Sequence, residues 1–512
     1  MKLVYCILLF LFSNLSGLEP TSGKLRTLYN SLDPSSISQH LALYELYPQS
    51  LEGQQALRNA YELLTVRSPT KLDVVVLPRP LLSSLNALIG LINKQPDTPT
   101  IELSASEIEV IDKLSCWLPN RQLPGYHATN EAQVLKLESS QIDLARGVLL
   151  SQLGNDPDAM RKIRTYESTI DLMALQVLTR VSMSDSPQNK IRAINHFIFE
   201  EMGFRFPPHS TYVKDIDLYT FLPSVLDSRR GVCLGVSILY ICLAQRLNLE
   251  LEIVTPPGHI FVRWHDGDKS INIETTARGV DLPDEVYLGI DTRKLYKRNI
   301  KETIGFAHFN QSGTFLERKE YDKAMNSYKK AREYTGEDAQ VLSFLGYTAA
   351  LKGDDQLARH LLGQVVDHLS DDAVSKETIP EDYLNGNVSG EGIGAIFMHV
   401  DKTRESLLTK KERLEKILES YPRFREGLFS LAGTWLQLHR SDAALRTLER
   451  YHQIDPNNAT VEYYLAALYT ERLDYNNAWK HLKIAEQLVA MRQHDPEALI
   501  ELRQELKQCC PE

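Results

Sequence analysis

Three side chains near the middle of the sequence have the chemistry of a nucleophile, a base and an orienting acid. Cys233 follows the basic turn Arg229-Arg230-Gly231, His259 follows a Pro-Pro-Gly breaker, and Glu274 lies fifteen residues after His259. A thiolate can attack a carbonyl carbon, an imidazole can transfer the proton, and a carboxylate can hold the imidazole in one tautomer. The three residues are therefore candidates for a catalytic Cys-His-acid set.

The element that must carry Cys233 is a helix. Residues 232–245 contain no charge and have apolar residues on every face, which predicts a buried helix that is too short to span a bilayer. Cys233 would lie in its first turn, where unpaired backbone N–H groups, the helix dipole and the preceding arginines favour a thiolate. Cys242 lies nine residues later, on the opposite side of the helix, and is predicted to be a core residue.

Short strands are predicted to carry the other two candidates. LELEIVT (249–255) and HIFVRW (259–264) are rich in β-branched and aromatic residues, and INIETT (271–276) follows a turn at Asp266-Gly267. Alternation places Asn272 and Glu274 on the same face of the third strand. An amide can also orient an imidazole, so Asn272 remains the alternative to Glu274 as the third member.

The segments VLDSRRG (225–231), PGH (257–259) and Ile273-Glu274-Thr275 resemble the transglutaminase-like superfamily, with the closest likeness to a bacterial branch of it. The resemblance covers about residues 130–290. It implies a papain-like α+β fold with a helical lead-in, and thiol chemistry on amide or ester bonds. Two departures are visible: Glu274 stands where the family usually has Asp, and Tyr219 stands where this branch often has Asn. Tyr219 and the Cys233 backbone N–H are candidate oxyanion donors.

Other chemical interpretations are weaker. A zinc site formed by Cys233, His259, His265 and Glu274 would lack any recognised ligand spacing, so no metal or other cofactor is predicted.

Two further histidines precede the candidate set. His196 is expected to lie on a helix face and His209 in a loop, with no role in catalysis.

Length and charge limit the class of protein. The chain has 512 residues, a hydrophobic content of 43% and a net charge of −10, which indicates a globular protein of about two to four domains. The acidic balance and the lack of a Lys/Arg run argue against nucleic-acid binding. Residues 1–17 have one Lys followed by an apolar stretch, which is typical of a secretory signal peptide or an uncleaved anchor. An exported, periplasmic or secreted location is therefore predicted, with no membrane contact or only peripheral contact unless this segment is an anchor.

A repeat is visible in the last third of the sequence. Small residues recur 34 residues apart, as in Ala324 and Ala358 or Ala444 and Ala478, and Trp435 and Tyr469 share the same spacing. This is the spacing of tetratricopeptide repeats, each of which is a pair of helices. Units are predicted near 305–338, 339–372, 425–458 and 459–492, with a degenerate unit at 391–424 and a loop at 370–392. Such repeats stack into a solenoid whose concave face commonly binds peptides or proteins.

The predicted organisation is a signal peptide (1–17), a mostly helical N-terminal region (18–125), a transglutaminase-like domain (126–295) and tetratricopeptide repeats (300–490). The predicted function is a cysteine-dependent hydrolase or acyl transferase that acts on amide bonds of peptides or proteins, with repeats that bind a protein partner. The alternative is a catalytically silent scaffold for protein–protein interaction.

Overall fold

The computed structural model describes residues 21–65, 82–98, 100–154, 158–207, 219–267, 269–401 and 403–510. The chain divides into two compact units. The first contains residues 1–118 and 167–193, and the second contains residues 119–166 and 194–512. The predicted signal segment 1–17 and His209 lie outside the described residues. No helix among the described ranges is long and apolar enough to cross a bilayer.

The described part of the first unit is helical. Arg180 ties the two parts of this unit together, because its guanidinium donates to the Asp33 carboxylate at 2.7 Å and to the Ser35 hydroxyl at 2.7 Å. Residues 167–193 lie inside the predicted transglutaminase-like domain (126–295), and their packing groups them with this unit. Its helices are Ser22–Asn30, Ile37–Leu46, Leu51–Thr65, Leu85–Ile92 and Ala105–Ser115. Two further helices, Ala159–Val177 and Pro187–Asn195, each have residues assigned to both units.

The second unit is built around the helix Cys233–Arg246, called the central helix below. Every residue of this helix except Cys233 and Gln245 is buried, which confirms the prediction of a helix that is apolar on all faces. Gly235 permits close packing, since a Cβ at this position would lie 2.2 Å from the Tyr219 carbonyl oxygen. Helices Glu131–Leu135, Leu144–Leu153 and Leu222–Ser228 and the π-helix His196–Glu201 complete this part of the unit.

A small antiparallel sheet accompanies the central helix. Its strands are β1 (Glu252–Val254), β2 (Phe261–Asp266), β3 (Lys269–Ile273) and β4 (Lys297–Arg298), arranged in the order β3-β2-β1-β4. The turn at Asp266-Gly267 joins β2 to β3, with Val262 opposite Ile273. Strand β4 was not predicted, because two residues are too few to show an alternating pattern.

Helical hairpins form the rest of the second unit. The small residues that define the predicted repeat, Ala324, Ala358, Ala444 and Ala478, are all fully buried. Small side chains let paired helices approach closely, which accounts for their recurrence at this spacing. The helices are Ile300–Glu317, Tyr321–Thr335, Ala339–Lys352, Asp355–Val365, Ile379–Leu384, Gly390–Ile396, Arg404–Ser420, Arg425–Gln437, Ser441–Ile454, Ala459–Glu471, Tyr475–Ala490 and Glu497–Cys509.

The structure differs from the sequence prediction at two places in this region. The predicted loop at 370–392 contains the helix Ile379–Leu384 and the start of Gly390–Ile396, whose buried residues Ile379, Tyr383 and Ile393 belong to the repeat core. Both helices are too short to produce a clear helical period, so composition alone suggested a loop.

The second difference is the boundary near residue 300. A break was predicted there, but the repeats and the core around the central helix form one compact unit. Ion pairs cross this boundary, since Lys330 contacts Glu131 and Arg298 contacts Asp338. The Tyr334 hydroxyl also donates to Glu131 at 2.5 Å. Long-range pairs of this kind leave no compositional signal in the sequence.

Candidate active site

Cys233 is the first residue of the central helix. Its side chain is partly buried, and the preceding N-cap residue, Val232, has no side-chain oxygen to accept from the first turn. The N–H groups in the first turn of a helix have no acceptor within the helix, and the dipole favours negative charge there. The thiol therefore lies beside backbone donors that can hold an oxyanion.

His259 is positioned by a tight turn rather than by a strand. Pro257 and Gly258 occupy the central positions, Gly258 has φ +72°, and the His259 N–H donates to the Pro256 carbonyl at 3.0 Å. Proline followed by a residue with positive φ is the arrangement of a type II turn, which explains the need for glycine. His259 was expected to open the second strand, whereas β2 begins two residues later at Phe261.

Glu274 accepts hydrogen bonds at both carboxylate oxygens. Oε2 accepts from His259 Nε2 at 2.6 Å and from the Tyr287 hydroxyl at 2.8 Å, and Oε1 accepts from the backbone N–H of Thr276 at 3.0 Å and from its hydroxyl. The Glu274 side chain is only 4% exposed. A buried carboxylate with several donors is stabilised in its ionised form, in which it can only accept.

The pKa values of this pair move in opposite directions. Burial alone would lower the pKa of His259, but its interactions with Cys233 and Glu274 outweigh burial and raise the pKa to about 10. Burial alone would raise the pKa of Glu274, but hydrogen bonds from His259 and Thr276 and the charge of His259 lower it to about 2. Since Nε2 is bonded to Glu274, Nδ1 is the ring nitrogen that remains for the Cys233 sulfur.

Three residues that support this geometry were missed by the sequence analysis. The Tyr287 ring stacks on His259 with centroids 5.9 Å apart and on Phe261 at 4.5 Å, so it positions the imidazole as well as the carboxylate. Thr276 supplies two donors to Glu274. The Thr275 hydroxyl lies 3.4 Å from the Cys233 carbonyl oxygen, which links the acid's segment to the central helix. The ETT sequence at 274–276 was the only available signal for the two threonines.

Asn272, the alternative third member, is engaged elsewhere. Its Oδ1 accepts from Arg263 Nε at 2.7 Å, and its Nδ2 donates to the Leu282 carbonyl at 2.6 Å and to Asp284 Oδ1 at 2.7 Å. These bonds leave no free amide hydrogen for His259. The structure therefore brings Cys233, His259 and Glu274 together and directs Asn272 into a separate buried network.

The zinc interpretation is not supported by the positions of its four residues. His265 lies near the exposed end of β2, opposite Ser270, while His259 precedes the other end of that strand. His196 forms ion pairs with Glu200 and Glu201 of its own helical segment.

The remaining sequence candidates occupy structural positions. Arg229 donates to the Met202 carbonyl at 3.2 Å, and Cys242 is fully buried. The backbone carbonyl of Tyr219 accepts from the Val232 N–H at 3.0 Å, so Tyr219 anchors the N-cap residue of the central helix.

A cleft of about 1040 Å³ opens at the candidate site. Cys233, His259 and the Pro256–Gly258 turn form part of its lining, and side chains from the first helices of the repeats form another part. The thiol is thus reached through a space that the repeats help to enclose.

One group of side chains elsewhere could bind a metal ion. In the described part of the chain, His452, Glu462 and His481 are the only such group. Glu462 is fully buried and accepts from Nδ1 of His452 at 2.5 Å and from Nδ1 of His481 at 2.7 Å. The two hydrogen bonds satisfy the carboxylate and connect helices of neighbouring repeats, which accounts for the group as a structural element.

Residues 164–307 match the family model described as the transglutaminase-like superfamily. This part of the chain is a transglutaminase-like domain. It contains Cys233, His259 and Glu274, as expected from the resemblance in the sequence. The bacterial branch remains a prediction.

Curated relatives match a short part of the chain. The mouse (Mus musculus) and human (Homo sapiens) proteins named F-box only protein 21 are 29% and 28% identical to it over 96 residues. The aligned segment is 19% of this chain and 14% of each relative. The chain therefore spans only about a seventh of the length of these relatives.

Solved structures similar to this chain include MamA from Desulfovibrio magneticus RS-1, with 14% identity, a TM-score of 0.20 and coverage of 36% of this chain and 94% of that one. TTC0263, a thermophilic TPR protein from Thermus thermophilus, is 14% identical with a TM-score of 0.20, covering 40% of this chain and 98% of that one.

Proposed function

We propose that the protein is a cysteine-dependent hydrolase or acyl transferase that acts on amide bonds of peptides or proteins. Cys233 is the nucleophile, His259 the general acid and base, and Glu274 the orienting acid. The observation that carries this proposal is the imidazole of His259, which binds the buried carboxylate of Glu274 and whose pKa is raised by interaction with both Cys233 and Glu274.

In the proposed reaction, the Cys233 thiolate attacks the amide carbonyl and forms a C–S bond. The developing oxyanion accepts from the Cys233 backbone N–H. His259 gives its proton to the departing nitrogen as the C–N bond breaks, which leaves a thioester. Water or an amine then attacks the thioester and loses its proton to His259, and the thiolate departs. Water gives hydrolysis, and an amine gives acyl transfer.

The repeats in this proposal bind the polypeptide substrate or a protein partner. Their 34-residue spacing and buried small residues support a solenoid of helical pairs. The exported location predicted from residues 1–17 belongs to the same proposal and is tested by N-terminal sequencing of the mature protein from fractionated cells.

The experiment is alkylation by iodoacetamide at pH 6, followed by intact-mass and peptide mapping. Cys116 is exposed and serves as the internal reference, while Cys233 is only partly exposed. An ordinary thiol, with a pKa near 8.5, is mostly protonated at this pH. Cys233 should therefore react faster than Cys116 despite its lower exposure. Equal or slower reaction would favour the alternative of a catalytically silent scaffold.

A further inference from the structure

The cleft at Cys233 extends along the repeats. The first helices of four hairpins contribute to its lining, through Asn310, Phe344, Phe429 and Thr460. The cleft volume of about 1040 Å³ is at the upper end of the range for small-molecule pockets, about 300–1000 Å³. A space of this size, bounded by four helical hairpins, suits several residues of a polypeptide.

Aromatic side chains in the cleft provide apolar contact area. Phe309, Phe344 and Phe429 line it and are partly exposed. Phe309 and Phe344 pack edge to face with centroids 5.0 Å apart. Rings held in this way offer binding surface at a low cost in side-chain entropy.

The charge of the cleft is strongly one-sided. Seven acidic and two basic residues line it. Arg298 and Lys376 are already paired, with Asp338 and Asp367 respectively, and the imidazole of His259 is bonded to Glu274. Three of the seven carboxylates are paired as well, since Glu337 contacts Arg332, Asp338 contacts Arg298 and Asp371 contacts Lys294. The acidic excess therefore comes from the other four, which form no ion pair among the described residues: Asp291, Asp372, Glu377 and Glu426.

Glu377 and Glu426 form the part of the lining where this excess is concentrated. Glu377 accepts from the hydroxyls of Ser343, at 3.1 Å, and of Tyr347. Among the described residues, no cation forms an ion pair with Glu426. Burial, followed by repulsion from Glu377 and Asp382, raises the pKa of Glu426 to about 7, against a weaker attraction from Lys410.

We propose that this cleft binds a cationic polypeptide segment, with a lysine or arginine side chain of the substrate at Glu377 and Glu426 and the reacting carbonyl at Cys233. The inference rests on the proposed function, since it names the substrate class of the same site. A bound cation would offset the repulsion between the carboxylates, and the rings of Phe344 and Phe429 would contact the aliphatic part of the segment.

Binding is tested without catalysis by using full-length Cys233→Ser protein and fluorescence anisotropy. The probe is a short fluorescein-labelled peptide of alternating Gly and Lys, compared with peptides in which Gln or Glu replaces Lys. The affinity for the Lys peptide should be at least roughly tenfold higher than that for the Gln peptide, and it should fall as the salt concentration rises. Equal affinity for the Lys and Gln peptides would overturn the inference and leave the proposed function intact.

The position of the site is tested with two matched double variants in the Cys233→Ser background. Glu377→Gln with Glu426→Gln should lower the affinity for the Lys peptide roughly tenfold. Glu412→Gln with Glu419→Gln makes the same two substitutions at exposed positions that do not line the cleft, and should leave the affinity for the Lys peptide unchanged. Equal losses in both double variants would show a general charge effect and overturn the assignment.

Two further measurements use the parent protein. The Lys peptide should slow alkylation of Cys233 but not of Cys116, because it shares the cleft with the thiol. If the peptide binds but does not slow alkylation of Cys233, it binds outside the cleft and the proposal is wrong. Spermine is a further probe. If it binds as tightly as the Lys peptide and displaces it, the occupant is a small polyamine and the polypeptide assignment fails.

Discussion

Replacement of Glu274 by Gln tests the role of its charge. Gln keeps the shape of the side chain and can still accept from His259, but it cannot stabilise an imidazolium by charge. The pKa of Glu274 falls from 4.5 to about 2 in the folded protein, which corresponds to about 3 kcal/mol in favour of the ionised form. Loss of that stabilisation should lower the reactivity of Cys233 roughly 10²-fold near pH 6.

The assay is the rate of Cys233 alkylation between pH 4 and 10, since it needs no known substrate. In the parent, a thiolate–imidazolium pair should keep the rate high over the interval in which Glu274 is ionised and His259 is protonated. In Glu274→Gln the rate at low pH should fall, and the two proteins should converge at high pH, where any thiol ionises.

Two comparison variants make the test specific. Glu274→Asp restores a charge with a shorter reach and should be the milder change. Asn272→Ala should affect the rate less than Glu274→Gln, because Asn272 bonds to Arg263 and Asp284 rather than to His259. Thermal melting of each variant separates loss of reactivity from loss of folding. If Asn272→Ala abolishes the fast reaction while Glu274→Gln preserves it, the third member of the set is Asn272 and the assignment of Glu274 is wrong.

Three other changes test the surrounding structure. Tyr287→Phe removes one donor to Glu274 but keeps the stacked ring, so Cys233 alkylation at pH 6 should slow roughly tenfold, a loss typical of one hydrogen bond to a charged group; an unchanged rate would show that the hydroxyl is dispensable. Ala444→Leu and Ala478→Leu should each overpack a helix crossing and lower the free energy of unfolding by roughly 1–3 kcal/mol in denaturant titrations; if both variants unfold like the parent, the repeat register is incorrect. Burial and then the charge of Lys330 lower the pKa of His308 from 6.5 to about 4, so its contribution to stability is present above pH 6.5 and is lost as the pH falls towards 4, by up to about 3 kcal/mol. The His308→Leu variant should lack that part of the acid dependence when the free energy of unfolding is measured against pH. Identical profiles for parent and variant would show that His308 does not contribute to it.

Features that depend on nearby residues were readable from the sequence. The uncharged run at 232–245 predicted the central helix, and the Pro-Pro-Gly segment predicted the turn before His259, because helix burial and turn geometry follow from local composition. The 34-residue spacing of small residues predicted the helical hairpins, because each repeat is one pair of helices with its small residues at the same positions. The resemblance to the transglutaminase-like superfamily then identified which Cys, His and Glu to consider.

Features that depend on packing between distant segments were decided only by the tertiary structure. Alternation gave Asn272 and Glu274 the same strand face, and only the folded neighbourhood directed Asn272 to Arg263 and Glu274 to His259. Tyr287 reaches Glu274 from a separate short helix, and the cleft combines Cys233 with residues of the repeats. Periodicity fixes which way a side chain faces within its own element. The partner it meets there depends on how the elements assemble, and one sequence period is compatible with many assemblies.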